Sequence, residues 1–125
     1  MTKRVIAAAA LIALALAVSC GSLRYVDKAG KALTGYLEQA QEKHEKGGDY
    51  QKPLEQAEQL WREKREMLGV MLKHSDADEM EQYFYKIGKY LETGDTEKLF
   101  ETVEDCRAAV EVILRGEAPA ARNVF

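Results

Sequence analysis

Side chains able to do chemistry are few in this chain, and the densest group falls in one short stretch. His74, Asp76, Asp78 and Glu79 lie within six residues of one another. An imidazole nitrogen joined by one or two carboxylates is a donor set that suits zinc or a similar divalent ion. A closed structural zinc site takes four protein ligands, however, and this stretch offers one histidine and no cysteine. Ser75 with Asp78, and Asp76 with Glu79, also have the spacing of a capping box. His74 read as the last turn of the preceding helix suits the negative end of the helix dipole. Turn building therefore accounts for all four residues without an ion. A metal or ligand sensor working through His74 and Asp78 stands as the alternative.

The remaining reactive groups form no recognisable machinery. His44 precedes Gly47-Gly48, and no Ser-His-Asp or Cys-His arrangement is suggested by order or spacing. Gly47-Gly48 has neither the lysine pattern nor the preceding strand of a phosphate loop. Cys106 falls in an apolar stripe, which predicts a buried and inert thiol. Carboxylates abound, but nearly all lie beside Lys or Arg at helical spacing, where they make weak surface pairs. The expectation is a protein that is not an enzyme and holds no cofactor. A hydrolase would require a cleft with a perturbed carboxylate or histidine.

The elements that position these residues are helical. Glu, Lys, Gln, Ala and Leu dominate, and there are only two prolines. From Asp49, the residues Leu54, Ala57, Trp61, Lys64, Leu68 and Met71 advance by steps of three and four, with Leu60, Met67 and Leu72 widening the stripe. That spacing sets one face of an α-helix running to about His74. A preceding helix carries Leu23, Val26, Gly30, Leu33, Leu37 and Ala40 and ends at Gly47-Gly48. Asp49 caps the next, and Pro53 is tolerated near its first turn. A third helix from Ser75 or Asp76 turns Met80, Phe84, Ile87 and Leu91 inward and stops at Gly94. Asp95 caps a fourth, with Leu99, Val103, Cys106, Val110 and Ile113 on its inner face. Short turns between long helices make antiparallel neighbours. The predicted fold is all-α: two antiparallel helical hairpins forming a small bundle after an amino-terminal signal or anchor segment.

Trp61 belongs to the core stripe rather than to an exposed hot spot. Tyr83, Tyr85 and Tyr90 cannot all face inward together with Phe84 and Ile87, so an outward tyrosine face, with Tyr83 and Tyr85 in it, marks a surface for a partner. Phe125 ends the tail beside a free carboxylate and is a second contact residue, tucked on the bundle or read by a partner.

The amino terminus sets the location. Lys3 and Arg4 precede fourteen uncharged apolar residues, Val5 to Val18, followed by Ser19, Cys20 and Gly21. A basic start, a short apolar run and small residues describe an export signal. Fourteen helical residues reach about 21 Å, short of a hydrocarbon core of about 30 Å; extended to Leu23 the run could just span. Leu16-Ala17-Val18-Ser19-Cys20 resembles a bacterial lipobox, which would make Cys20 the lipidated first residue of a lipoprotein carrying acyl chains such as palmitate. The other reading is an uncleaved anchor. Both hold the domain at the outer face of the cell membrane.

The chain has 125 residues and a formal charge of −3. Without the first twenty residues, Lys3 and Arg4 are lost and 16 basic residues face 21 acidic ones. No basic block survives, so nucleic acid is not an expected partner. A disulfide between Cys20 and Cys106 is not expected, because it would join the leader to the middle of the last helix. Gly48-Asp49 and Gly94-Asp95 open similar segments 46 residues apart, which good turn-and-cap chemistry explains without a tandem repeat.

From Gly48 to Phe125 the chain resembles the bacterial domain-of-unknown-function family 4363. The residues that carry the resemblance are Asp49-Tyr50 opening a helix, Trp61 within it, His74 followed by Asp78, Lys89-Tyr90-Leu91, and the ending Asn123-Val124-Phe125. The resemblance implies a short membrane-anchored helical protein and implies no activity. The expected layout is a signal or anchor over 1–20, a helical domain over 21–116 and a tail over 117–125. The expected role is a binding or structural module for an unknown cell-envelope protein.

Overall fold

A computed structural model describes the backbone of residues 2–117 and all of their side chains except those of 18–20, 22–23 and 116–117. The described chain forms four helices, α1 (Thr2–Glu45), α2 (Gln51–Met71), α3 (His74–Thr93) and α4 (Thr96–Glu117). Each helix packs on its neighbours in a ring, α1 against α2 and α4, and α3 against α4 and α2. This is the expected pair of antiparallel hairpins, closed into an up-down-up-down bundle.

The four apolar stripes meet in one core. Val26, Ala29, Leu33, Leu37 and Ala40 come from α1, and Leu54, Ala57, Trp61 and Leu68 from α2. Met80, Phe84 and Ile87 come from α3, with Leu99, Val103, Cys106 and Val110 from α4. Leu91 and Ile113 pack against this core half-buried. Met67 departs from expectation: it is half exposed, because no neighbouring helix covers that edge of α2.

Two of the three turns follow the glycine chemistry. Gly47 and Gly94 take φ of 72° and 74°, a conformation that other residues adopt only with strain. Asp95 caps α4 as expected, its Oδ1 accepting from the Lys98 N–H at 3.2 Å. At α2 the expectation is corrected: the cap position falls to Tyr50, which makes no side-chain cap bond, and Asp49, one residue earlier, accepts from the Gln51 N–H at 3.1 Å. Asp95→Ala is expected to lower stability by about 1 kcal/mol, read from the denaturant midpoint; an unchanged midpoint would remove the capping role.

The α2–α3 turn contains no glycine, and here the sequence reading is corrected. Leu72 swings to extended backbone (ψ 160°) and buries its side chain, while its N–H still donates to the Leu68 carbonyl at 2.8 Å. The new helix begins with the Ala77 N–H on the Lys73 carbonyl at 3.0 Å. His74 is therefore the first residue of α3, not the end of α2. Ser75 and Asp76 lie inside the first turn, and Lys73, in the cap position, makes no side-chain cap bond. Neither capping box exists; Asp76 contributes only its charge at the positive end of the dipole.

The apolar leader and the first bundle helix are one continuous helix of 44 residues, about 66 Å long. No proline intervenes, and a lone helical glycine such as Gly21 costs only about 1 kcal/mol, too little to end a helix. Residues 2–17 are exposed throughout, with Val5, Ile6, Leu11, Ile12, Leu14 and Leu16 each 62–67% accessible. No helix among the described residues is long and apolar enough to cross a membrane.

Candidate functional site

His74 and Asp78, brought one turn apart by the start of α3, form a surface pair. Nε2 of His74 lies 3.7 Å from Oδ2 of Asp78, and the two side chains are 94% and 64% exposed. Two donors on open surface do not enclose an ion, and no three His, Cys, Asp or Glu residues among those described are grouped to hold one.

Cys106 is fully buried with a free thiol. Burial, aided by the carboxylate of Glu79, pushes that thiol up from 9.0 to about 12. A thiol held protonated in a dry core is a packing group. Trp61 is likewise core, 2% exposed, with its ring 5.7 Å from that of Phe84 and nearly parallel to it. Its Nε1–H donates to Glu81 Oε1 at 3.0 Å, which satisfies its one polar atom at the edge of the core.

The two tyrosines do not share a face. Residues two apart on a helix point nearly opposite ways. Tyr83 is half-buried and its hydroxyl donates to Glu79 Oε1 at 2.9 Å. That bond, then burial and the Glu79 charge, push the phenol up to about 12. Tyr85 is 73% exposed on the other side of α3. The tail with Phe125 and the side chain of Cys20 lie outside the described residues.

Tyr85 stands on the wall of an open groove of about 550 Å³ between α2 and α3. These neighbours share the smallest seam of the ring. Gln51, Glu55 and Glu58 of α2 form one rim, and Tyr85, Lys89 and Glu92 of α3 the other, over a floor of Phe84 and Leu91. Gly88 keeps the floor open: a Cβ there would meet only Glu58 Oε1, at 3.9 Å. Tyr85 was visible as an outward aromatic, whereas Glu55, Glu58, Gly88 and Glu92 become a site only through the pairing of two helices. Three carboxylates against one lysine give the rim a negative balance. An apolar floor under such a rim suits a basic, amphipathic segment of a partner.

A second cluster closes the far end of the bundle. His44 stacks on Phe100 with centroids 4.0 Å apart, and Tyr50 meets both rings edge-on at 5.5 and 5.0 Å. Beside it, Arg107 donates to Glu104 at 2.8 Å and reaches Glu38 of α1 at 3.7 Å. Gln41 donates to Glu104 at 2.6 Å. Those bonds, from Gln41 first and Arg107 second, hold the Glu104 carboxyl below the usual carboxylate range. This network ties α1 to α4.

Fold and surface together define a class: a small four-helix bundle carried on a long, apolar-tipped first helix, with an acidic groove on one seam. Residues 20–124 match the family model described as Domain of unknown function (DUF4363), and the chain belongs to that family. No curated protein matches the chain, and no solved structure does.

Proposed function

We propose that the protein is a non-catalytic binding module held at the outer face of the cell membrane, which captures another envelope component in the α2–α3 groove. The observation that carries this reading is residues 5–17 of α1, apolar around the whole helix and packed against no other part of the bundle. A helix apolar on every side calls for a nonpolar surrounding rather than water. The basic residues Lys3 and Arg4 and the sequence Ser19-Cys20-Gly21 add an export signal with a lipidation point. An acyl chain on Cys20 would tether the domain without any spanning helix.

Tether and capture are tested apart. Cys20→Ala is expected to abolish acyl labelling and block processing, and persistence of the full-length mass in wild-type membranes would favour an uncleaved anchor instead. For capture, Gly88→Leu fills the groove at a position with room for a side chain and with a gain in helix propensity. A partner crosslinked to the wild type in detergent-solubilised membranes should be lost from Gly88→Leu while the helical content stays intact. Recovery of no partner by the wild type, with and without crosslinker, would remove the binding reading.

A further inference from the structure

We infer that the α2–α3 turn is a second membrane contact, in which Met67 and Val70 enter the headgroup boundary and stand the bundle upright on the bilayer. This inference rests on the tethered reading of the leader. Four helices in alternating directions put the end of α2 and the start of α3 at the end of the bundle from which the apolar part of α1 emerges. The register is fixed by a small apolar cavity that Leu68 and Leu72 line together with Val26 and Gly30 of α1. Val70, between Leu68 and Leu72, therefore stands level with the Val26–Gly30 stretch of α1. From Val18, where the apolar run ends, to Val26 is about 12 Å along α1. Cys20 lies between them. A lipid on Cys20, or an anchor ending near it, brings the turn to the surface of the bilayer.

On its α2 side the turn presents an apolar pair, while the start of α3 carries the exposed His74 and Asp78. Val70 is 83% exposed, the most exposed large hydrophobic residue among those described, and Met67, one turn earlier on the same face, is 50% exposed. From Met67 to Lys73 there is no acidic residue, and Lys73 is exposed beside the pair. A valine and a methionine backed by a lysine match the boundary between acyl chains and headgroups.

The charge of the whole bundle points the same way. The half nearest the leader (24–31, 62–81 and 107–117) holds nine basic and nine acidic residues. The far half (32–61 and 82–106) holds six basic and twelve acidic. A lipid surface bearing negative charge repels the far half and leaves the near half indifferent. The rim of the α2–α3 groove lies wholly in the far half and is then turned toward whatever lies beyond the membrane.

The full chain, reconstituted in anionic vesicles with bromine on the acyl chains, tests this through tryptophan quenching. Trp61 is the internal reference, buried and about 13 Å before Val70 along α2, toward the far end of the bundle. Bromination should leave wild-type emission nearly unchanged. Val70→Trp should lose about half of the emission it adds, as expected for a ring roughly 5–10 Å into the boundary. Lys46→Trp, at the opposite end of the bundle, should lose none. Flotation of the vesicles reports the tether by itself. A chain that fails to float would overturn the tethered reading and this inference with it. A chain that floats while bromine leaves Val70→Trp untouched would overturn the inference alone, whether the new side chain stands in water or is covered by a second protein.

Discussion

Trp61→Ala is expected to destabilise the bundle by about 3–5 kcal/mol, the range for truncating a buried tryptophan or phenylalanine. Trp61 is the largest side chain of α2 and contacts the core from its middle, stacked on Phe84 and next to the cavity that Leu68 and Met80 line. The cavity already there, about 20 Å³, would grow rather than collapse, because Leu33, Met80 and Val110 around it are held by three different helices. A domain of this size has a stability of about 5–15 kcal/mol and a midpoint that moves roughly 4–8 °C per kcal/mol. The expected fall in melting temperature is therefore on the order of 15–30 °C, read by helical circular dichroism of the full chain in mild detergent. Glu81→Gln is the control. Its amide oxygen still accepts from the indole, so the loss should stay under about 1 kcal/mol. A Trp61→Ala protein that melts within a few degrees of the wild type would show that the core does not run through α2 as described.

How much of this was legible follows from which interactions are local. Leu54, Ala57, Trp61 and Leu68 could be assigned to the core because a helical period is written in neighbouring residues, and so could Met80, Phe84 and Ile87. Gly47 and Gly94 announced their turns because left-handed backbone favours glycine. The α2–α3 turn gave no such sign. It is made by Leu72 choosing the core over the helix, a tertiary event, and the error moved His74 from the end of one helix to the start of the next. At the junction of leader and bundle the helix runs on, because composition changes there but no residue stops it. The tyrosines were half legible. Opposed faces for Tyr83 and Tyr85 follow from their spacing, whereas the acidic rim that Tyr85 joins depends on Glu55 and Glu58 arriving from α2. The stacking of His44 on Phe100 likewise joins residues far apart in the chain, which no local pattern could announce.

Alkaline solution should expose the other large dependence of this fold. Cys106 ionises near 9.0 when free and near 12 in the folded chain, chiefly because burial denies its thiolate water. The folded state thus keeps the proton more tightly than the unfolded one. The stability this represents is present in full below about pH 9 and is lost as pH rises toward 12. Three pH units at about 1.4 kcal/mol each set a loss of about 4 kcal/mol as the order of magnitude across the window. Tyr83 acts in the same direction between about 10 and 12 through its bond to Glu79, but with a smaller effect because its hydroxyl is near solvent. Denaturant titrations at about pH 8 and about pH 11 separate the two. Lysine titration is common to wild type and Cys106→Ala, so it cancels in their difference. The wild type should lose about 2–3 kcal/mol more than Cys106→Ala over that interval, and Tyr83→Phe should recover a smaller part. Equal losses in wild type and Cys106→Ala would mean that the thiol reaches water in the folded chain. The stripe Leu99, Val103, Cys106, Val110 would then not be the inner face of α4, and the closure of the ring between α3 and α1 would have to be abandoned.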